Sequence, residues 1–527
     1  MSTTHPMQGI KQRCLGEQDG YSLSRDGDNV AVDDRSVLHN RGGSRSMRRA
    51  RSASNEDAAS QKQCKRRRLG QSDEPRIRSE NYFRNLYSAE PDFRRLGLKY
   101  PEFGTVLKDG AHLDFADPAA VVQLTKTLLK EDFGLEITLP ADRLCPPVPN
   151  RHNYILWLKD LLDSTSSSYS QQYEPERRVT GLDIGTGASL IYPLLGCAQR
   201  PAWNFIGTDI DAESLHNARE NARINNLESR IRIIDRAASD TLIPDLSTEA
   251  IDFVMVNPPF YASDTELLEL AAKKSRPPHS ACTGAPIEMV CEGGEVRFAE
   301  RLIDESLTLK DKVQWYTAML GKQSSLEILI DVLKKNGINN FAVTAFIQGS
   351  KTRRWALAWS FLTRRPSPAV ARGCSSFLAK NMLPPVTTTT IYKPPSQDYA
   401  DLVLSLERII CDTMKSLGLC SWTWDEQRLR GVGFAHGNVW SRAYRRRRAR
   451  EGIVAAQQES TASPLDVVNC AFGFSISISI PIDNTAEPGS SNPAVTVCWL
   501  QGDDEGLFES FSGVVRRSLR ENTTRSV

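Results

Sequence analysis

Apolar and polar positions along this chain change their rhythm several times, and each change marks a different kind of segment. Residues 1 to about 78 carry few apolar side chains and no periodicity. Such a stretch cannot bury enough surface to offset the entropy of ordering, so it is predicted to be a disordered tail. Aromatics begin at Tyr82 and Phe83 and continue through Tyr87, Phe93, Tyr100 and Phe103. Around Pro118, the segment DPAAVVQLTKTLLKEDFG has the spacing of an amphipathic helix, with an acidic, proline-marked start and a glycine stop.

From Arg177 the pattern becomes an alternation of short apolar runs and helical stretches. VTGLDI (179–184), WNFIGTDI (203–210), RIRIID (230–235) and IDFVMV (251–256) read as strands, with the helical AESLHNARENARINN between the second and third. KVQWYTAM, FAVTAFIQ and WALAWSF give three more strands, with helices at about 297–310 and 323–336. Alternation of this kind predicts an open, mostly parallel α/β sheet. The Ser/Tyr-rich DSTSSSYSQQYEPE (163–176) reads as an insertion ahead of the first strand, and the proline-bearing residues 363–387 as a linker. A helix at about 398–417, SWTWD, FGFSISISIPI, VTVCWL and a helix near 505–519 then predict a smaller α+β unit, interrupted by a polar loop near 450–465. The expected organisation is a tail (1–78), a helical lead-in (79–162), the α/β domain (163–362), the linker (363–387) and the α+β domain (388–527).

Length and composition change this picture little. The 527 residues are 40% hydrophobic and 25% charged, which fits globular domains with ample cores. No run of about 18 apolar residues appears, so no transmembrane helix is expected. The first residues, MSTTHPMQGIKQRC, hold no apolar stretch of the kind a secretory signal needs. Eleven cysteines lie without a CxxC pair, which points to reduced thiols, and seven dispersed histidines show no ligand spacing, so no metal is expected.

Net charge is only +2, but its distribution is uneven. Ten Lys/Arg face two acids between Arg41 and Arg68, ending in Lys65-Arg66-Arg67-Arg68, and six arginines fall within Ser441–Arg450. Such runs suit nuclear import or nucleic-acid contact, and equally a solvated basic tail. Arg94, Arg95 and Lys99 among aromatics fit backbone contact and base stacking, or a solvated helix face.

The first strand runs into Gly185-Thr186-Gly187, where glycines allow close backbone approach to a ligand. Asp209 and Asp211 end the second strand, 24 and 26 residues after Gly185, where ribose hydroxyls are held in nucleotide sites. The loop lacks the GxGxxG of nicotinamide sites; Asp183-x-Gly185-x-Gly187 matches the pattern of S-adenosylmethionine enzymes.

The fourth strand ends in Asn257-Pro258-Pro259-Phe260. Two prolines cannot continue a strand ladder and stiffen the turn. The Asn257 side-chain oxygen can accept from an amine, a nearby carbonyl can take its second proton, and Phe260 offers a face for a planar ring. Held this way, a delocalised exocyclic amine is aimed at a sulfonium methyl, and the work is largely positioning. Such turns also serve glutamine and cytosine amines, so the four residues give an amide or amine acceptor rather than adenine alone.

The stretch from about Tyr82 to Phe361 resembles the methyltransferase-like sixteen family of RNA N6-adenosine methyltransferases. The phrases that carry it are LTKTLLKEDFGLEI, VPNRHNYILWLKDLL, GLDIGTGASLIYPLLG, NPPFYA, EGGE, MLGKQSSL and RRWALAWSF. The resemblance implies a Rossmann-like class I S-adenosylmethionine-dependent domain with Asn257 to Phe260 as its catalytic turn. It implies cofactor contacts from Arg151, Gly185, Asp209, Thr241 and Asn257. Its expected partner is a stem–loop RNA with a UACAGAGAA-type sequence, most notably U6 small nuclear RNA. A monomer is expected, and Lys65–Arg68 with the Arg445 cluster predict a location in the nucleus and also the cytoplasm. Arg84, Arg94, Arg95 and Lys99 stand where relatives build a basic RNA groove. Ala116 replaces a family lysine in the gate, and the C-terminal unit with Arg445–Arg448 is similar to the family's auxiliary RNA-binding domain. An RNA-binding scaffold with secondary transfer activity and a protein glutamine methyltransferase remain as alternative readings.

Overall fold

Seven strands form the larger sheet of the computed structural model, in the spatial order Ile231–Asp235, Trp203–Asp209, Val179–Ile184, Ile251–Val256, Val313–Leu320, Thr352–Trp359 and Phe341–Gln348. The structure describes residues 78–245, 250–263, 265–266, 284–348, 352–393, 399–450, 469–480 and 493–523. These lie within the unit Pro75–Val527. The expected tail, its Arg41–Arg68 run and most of the 450–465 loop fall outside the described residues.

Before the large sheet come α1 (Glu80–Asn85), α2 (Phe93–Lys99), α3 (Pro101–Gly104), the small hairpin β1 (Leu107–Lys108) and β2 (His112–Leu113), α4 (Pro118–Leu128) and α5 (Val148–Ser164). Asp117 caps α4 through the Ala119 amide. The helix passes into a π-helical turn, Leu129–Phe133, and stops at left-handed Gly134, as a glycine C-cap should. The sheet is built from β3 (Val179–Ile184), α6 (Ile191–Gln199), β4 (Trp203–Asp209), α7 (Ala212–Ile224), β5 (Ile231–Asp235), β6 (Ile251–Val256), α8 (Pro286–Met289), α9 (Gly294–Leu309), β7 (Val313–Leu320), α10 (Gln323–Lys335), β8 (Phe341–Gln348) and β9 (Thr352–Trp359). Strands β5 to β7 pair in parallel, and β9 joins β7 and β8 antiparallel.

All eight residues of β7 are buried, because helices cover both faces of a parallel sheet. One apolar core lies around α5, α6 and α7, the other around α9 and α10. Chain order reverses between β3 and β6, which places the topological switch point, where α/β sheets bind ligands, at the carboxyl ends of these two strands.

The second sheet is antiparallel, in the spatial order Thr388–Tyr392, Ala494–Gln501, Phe472–Ser479, Arg430–Ala435 and Ser421–Asp425. It comprises, with α11 (Pro368–Ala371) before it, β10 (Thr388–Tyr392), α12 (Tyr399–Ser416), β11 (Ser421–Asp425), β12 (Arg430–Ala435), α13 (Arg442–Arg450), β13 (Phe472–Ser479), β14 (Ala494–Gln501) and α14 (Glu505–Thr523). Its core joins the inner sides of α12 and α14 to Phe472, Phe474 and Trp499. No helix among the described residues is long and apolar enough to cross a membrane.

Two segments read from composition alone are folded against the rest of the chain. Residues 363–387 are packed against both sheets rather than strung between them. Arg365 donates from Nε to the Gly502 carbonyl at 2.7 Å and from Nη2 to Asp503 at 3.1 Å, and stacks on Trp499. Burial brings its pKa down to about 10. Trp157 donates to the Val370 carbonyl, and Cys374 is fully buried. Likewise 163–176 is a folded loop: Ser166 and Ser170 donate to Glu174 at 2.9 and 3.0 Å. Tyr169, at its tip, meets Phe434 of the second sheet with ring centroids 4.9 Å apart.

Candidate active site

At the end of β3 the chain turns through Gly185 (φ 70°) and Gly187 (φ 64°), a left-handed path that glycine takes without strain. The loop folds back onto β4: the amides of Gly185 and Thr186 donate to the Thr208 carbonyl at 2.8 and 2.9 Å. Gly187 donates its amide to Asp209 Oδ2 at 2.8 Å. The amides of Ile210 and Asp211 donate to Asp209 Oδ1 at 2.8 and 3.0 Å. A carboxylate oxygen accepts two bonds, so Oδ2 keeps one lone pair for a hydroxyl. Burial raises the pKa of Asp209, against these three amides.

Asp211 is committed elsewhere. It caps α7 through the Ser214 amide and hydroxyl, and Arg143 approaches it at 3.2 Å. Asp209 is therefore the acid at this strand tip with capacity for a ligand. Behind the loop, Asp183 accepts the Thr186 hydroxyl at 2.8 Å. Burial lifts its pKa to about 7, with Asp209 adding to the rise.

These groups open onto a cavity of about 590 Å³ at the switch point, whose wall includes Arg151, Gly185, Asp209, Thr241, Asn257, Pro258 and Pro259. Arg151, on α5, is buried, donates to the Met319 sulfur at 3.4 Å and lies over the Tyr192 ring. Thr241 donates its hydroxyl to the Ile243 carbonyl at 2.8 Å. Asn257 follows β6 directly, and its Oδ1 is buried without a hydrogen-bond partner. An acceptor left so in a cavity wall is costly unless a ligand supplies a donor. Glycines, a hydroxyl-ready carboxylate and this acceptor together fit a nucleoside-bearing ligand such as S-adenosylmethionine.

Phe260 is placed differently from the other expected residues: it stands beside the cavity and is not part of its wall. The Arg354 guanidinium lies over its ring, 5.1 Å from the centroid. Gly321 packs at the ring's edge, where an added Cβ would come 3.0 Å from Phe260 Cδ1. The turn itself is held by a short bridge: Tyr261 donates its amide to the Met289 carbonyl at 3.1 Å, and Cys291 donates to the Tyr261 carbonyl at 3.0 Å.

Two residues that motif reasoning had not singled out shape the site. Glu288 accepts the amides of Leu144 and Ala285, each at 2.9 Å, and lines the cavity near Gly187. Glu295, buried, accepts the amides of Gly321 at 2.6 Å and Lys322 at 3.1 Å. Glu295 belongs to EGGE, Gly321 to MLGKQSSL, Arg354 to RRWALAWSF and Phe260 to NPPF. The signal was present as four separate phrases, and the fold gathers them around one ring.

The basic residues expected to face RNA are partly committed. Arg84 pairs with Asp160, and Arg95 and Lys99 both pair with Glu131, whereas Arg94 is exposed. Ala116 is exposed in the turn before α4, its amide donated to Asp114. On α13, Arg442, Arg445, Arg446, Arg447 and Arg450 are exposed.

A family model described as RNA methyltransferase matches residues 76–363. A fission yeast (Schizosaccharomyces pombe) protein named U6 small nuclear RNA (adenine-(43)-N(6))-methyltransferase is 35% identical over 418 residues, 79% of this chain and 97% of that protein. A zebrafish (Danio rerio) RNA N(6)-adenosine-methyltransferase is 44% identical over 54% of this chain, and the match spans 60% of the zebrafish protein. Among solved structures, the human hMettl16 catalytic domain in complex with MAT2A 3'UTR hairpin 1 is 42% identical, covers 53% of this chain and 94% of that one, and superposes with a TM-score of 0.48.

Proposed function

The chain belongs to the RNA methyltransferase family whose model spans residues 76–363, and on that premise we propose that it transfers a methyl group from S-adenosylmethionine to N6 of an adenosine in a structured RNA. U6 small nuclear RNA is the foremost substrate in this reading, because the fission yeast relative that this chain matches almost end to end carries that name. The observation that carries the proposal is the buried, partnerless Asn257 Oδ1 in the wall of the cavity that Gly185 and Asp209 help to form.

Bound S-adenosylmethionine supplies an electrophilic methyl on sulfur. Asp209 Oδ2 takes a ribose hydroxyl, and the glycine turn lets the backbone approach closely. Arg151, held by Met319 and Tyr192, places a positive charge deep in the wall. Asn257 Oδ1 accepts one N–H of the adenine amine, and a main-chain carbonyl of the turn accepts the other. Pro258 and Pro259 keep these acceptors fixed, so the amine lone pair points at the incoming carbon. Phe260 stacks the base on the face that Arg354 leaves open. Transfer would break the sulfur–methyl bond, leaving S-adenosylhomocysteine, and the methylated amine would then lose its extra proton to solvent, so no strong base is needed. Excluding water and fixing the approach are what these residues contribute.

Unstacked adenosine in a stem–loop can reach such a pocket without opening a duplex. The reading includes a monomer. It also includes the nucleus as the main location and the cytoplasm as a second one, from Lys65–Arg68 and the arginines of α13. A fluorescent fusion that stays cytoplasmic whether or not these residues are present overturns the nuclear part.

The experiment is transfer from labelled S-adenosylmethionine to a stem–loop bearing UACAGAGAA. Beside it run the same RNA with its central adenosine replaced by guanosine, and an Asn257→Ala enzyme. Label recovered as N6-methyladenosine only with intact RNA and intact enzyme is the expected result. Tight binding without label on this or other stem–loops turns the reading to an RNA-binding scaffold, and label on protein glutamine removes the RNA acceptor altogether.

A further inference from the structure

The end of the second sheet brings together three side chains that no motif links. Cys420 immediately precedes β11, His436 immediately follows β12, and Cys470 lies two residues before β13. Because β11, β12 and β13 are antiparallel neighbours, with Ser421 opposite Phe434 and Ala435 opposite Phe472, these three positions share one edge of the sheet. Their sulfur and ring-nitrogen atoms all lie within 4.8 Å of one another, with Cys470 Sγ 4.0 Å from His436 Nδ1. Cys470 is buried, Cys420 half-buried and His436 exposed.

We propose that Cys420, His436 and Cys470 bind a zinc ion that clamps the ends of three strands. Two thiolates and an imidazole, with no carboxylate among them, form a soft donor set that favours zinc over magnesium or calcium. Tetrahedral zinc, with bonds of about 2.3 Å to sulfur and about 2.0 Å to nitrogen, separates its ligand atoms by roughly 3.5 to 3.8 Å. The three atoms therefore need to close by no more than about 1.3 Å, within the reach of side-chain rotation. Water fills the fourth position on the solvent side, next to His436. Binding displaces the two thiol protons, so occupancy is lost in acid.

The clamp has a structural consequence. From His436 the chain runs through Val439 and Trp440, both buried, into the arginine helix α13. Trp440 donates to Ser510 at 3.0 Å. On the other side, the Cys470 carbonyl accepts the Gln501 amide at 2.7 Å, close to where Tyr169 docks. Zinc thus holds the root of α13 against the edge of the sheet that faces the catalytic domain.

Absence of regular spacing had argued against a metal. The intervals here, 16 residues from 420 to 436 and 34 from 436 to 470, match no zinc motif, because the sheet rather than the loop length brings the ligands together.

The test uses the full chain, made without a polyhistidine tag and purified with a non-thiol reductant and no chelator. Elemental analysis is expected to find about one zinc per chain that survives dialysis. Cys420→Ser, Cys470→Ser and His436→Ala are each expected to lower this at least about tenfold. His436 is exposed, so its variant keeps the fold; unchanged S-adenosylmethionine binding is the control for that. Cobalt exchanged into the parent should give sulfur-to-metal absorption that the variants lack. The proposal is overturned if the parent holds no zinc after incubation with excess zinc, if the variants hold as much as the parent, or if Cys420 and Cys470 are found joined as a disulfide under these conditions.

Discussion

Asp209 accepts the Gly187 amide at 2.8 Å, so the tip of the second strand holds the glycine loop of the first in its left-handed path. Asp209→Asn puts an amide NH2 where one carboxylate oxygen faces only donors. The loop must shift, and the ribose loses its acceptor. The dissociation constant for S-adenosylmethionine is expected to rise at least about tenfold, equivalent to about 1.4 kcal/mol. The rate at saturating cofactor should stay within a few-fold of the parent. Calorimetric titration checks this, and an affinity within twofold of the parent rules it out.

Gly321 gives a way to move Phe260 without altering it. A Cβ there meets Phe260 Cδ1 at 3.0 Å and Glu295 Oε2 at 3.2 Å. Glu295 is fixed by the two amides it accepts, so the ring is the part that yields. Gly321→Ala is expected to cost roughly tenfold in kcat/KM for RNA, a loss of about 1.4 kcal/mol. Cofactor affinity should be unchanged, because Phe260 is outside the cavity wall. Parallel loss of cofactor binding would mean that the whole turn had shifted.

Asp183 links stability to pH. Burial raises its pKa from 3.8 to about 7, so the folded state resists its ionisation. Well below pH 3.8 the group is protonated in both states and carries no cost. Between there and about pH 7 the unfolded chain ionises first and the cost grows; above that it is constant. Asp183→Asn keeps an acceptor for the Thr186 hydroxyl and removes the charge. The variant should melt above the parent at pH 8 by a few degrees, roughly 2–4 °C per kcal/mol in a domain of this size. The gap should narrow by pH 5.5. A gap independent of pH would assign the effect to packing instead.

Much of this was legible because it is local. VTGLDI, WNFIGTD and IDFVMV are apolar runs, with the helical AESLHNARENARINN after the second, and they became β3, β4 and β6, with α7 after β4. The Asn257–Phe260 turn was visible because two prolines after a buried strand admit few explanations. The linker and insertion readings left out the distant partners of these segments for a shared reason. Arg365 finds Gly502, and Arg430 reaches the Tyr169 carbonyl 261 residues away. Pro- and Ser-rich composition reports weak local propensity, but it is silent about such partners. Phe260 had the same problem in miniature, since its Arg354 partner lies on β9.

The helical lead-in is joined to the catalytic domain by a buried charge cluster, and that gives the sharpest stability test. Glu80 Oε1 lies 3.0 Å from Lys159 Nζ and 3.7 Å from Arg200 Nη2. Arg200 keeps Asp163 at 2.6 Å and the Tyr173 ring at 3.6 Å, so losing Glu80 falls mainly on Lys159. That side chain is fully buried, and burial has already brought its pKa down to about 8, with Glu80 opposing the drop. Glu80→Ala leaves an ammonium with the Gln199 side-chain oxygen and the face of Phe83, and no counter-charge from Glu80. Removing one partner of a buried pair costs roughly 3 kcal/mol, the low end of the range because Glu80 is itself partly exposed. The cost has a direction in pH. A lysine whose folded pKa lies below its unfolded value is penalised while charged, and sheds that penalty as pH rises from the folded value towards 10.5. Lys159 is also neutral in the parent at high pH, where Glu80 no longer attracts it. The deficit of the variant should therefore be large at pH 7 and clearly smaller at pH 9, read by urea unfolding with matched slopes. Equal deficits at the two pH values would show that Glu80 acts through helix packing rather than through the charge of Lys159.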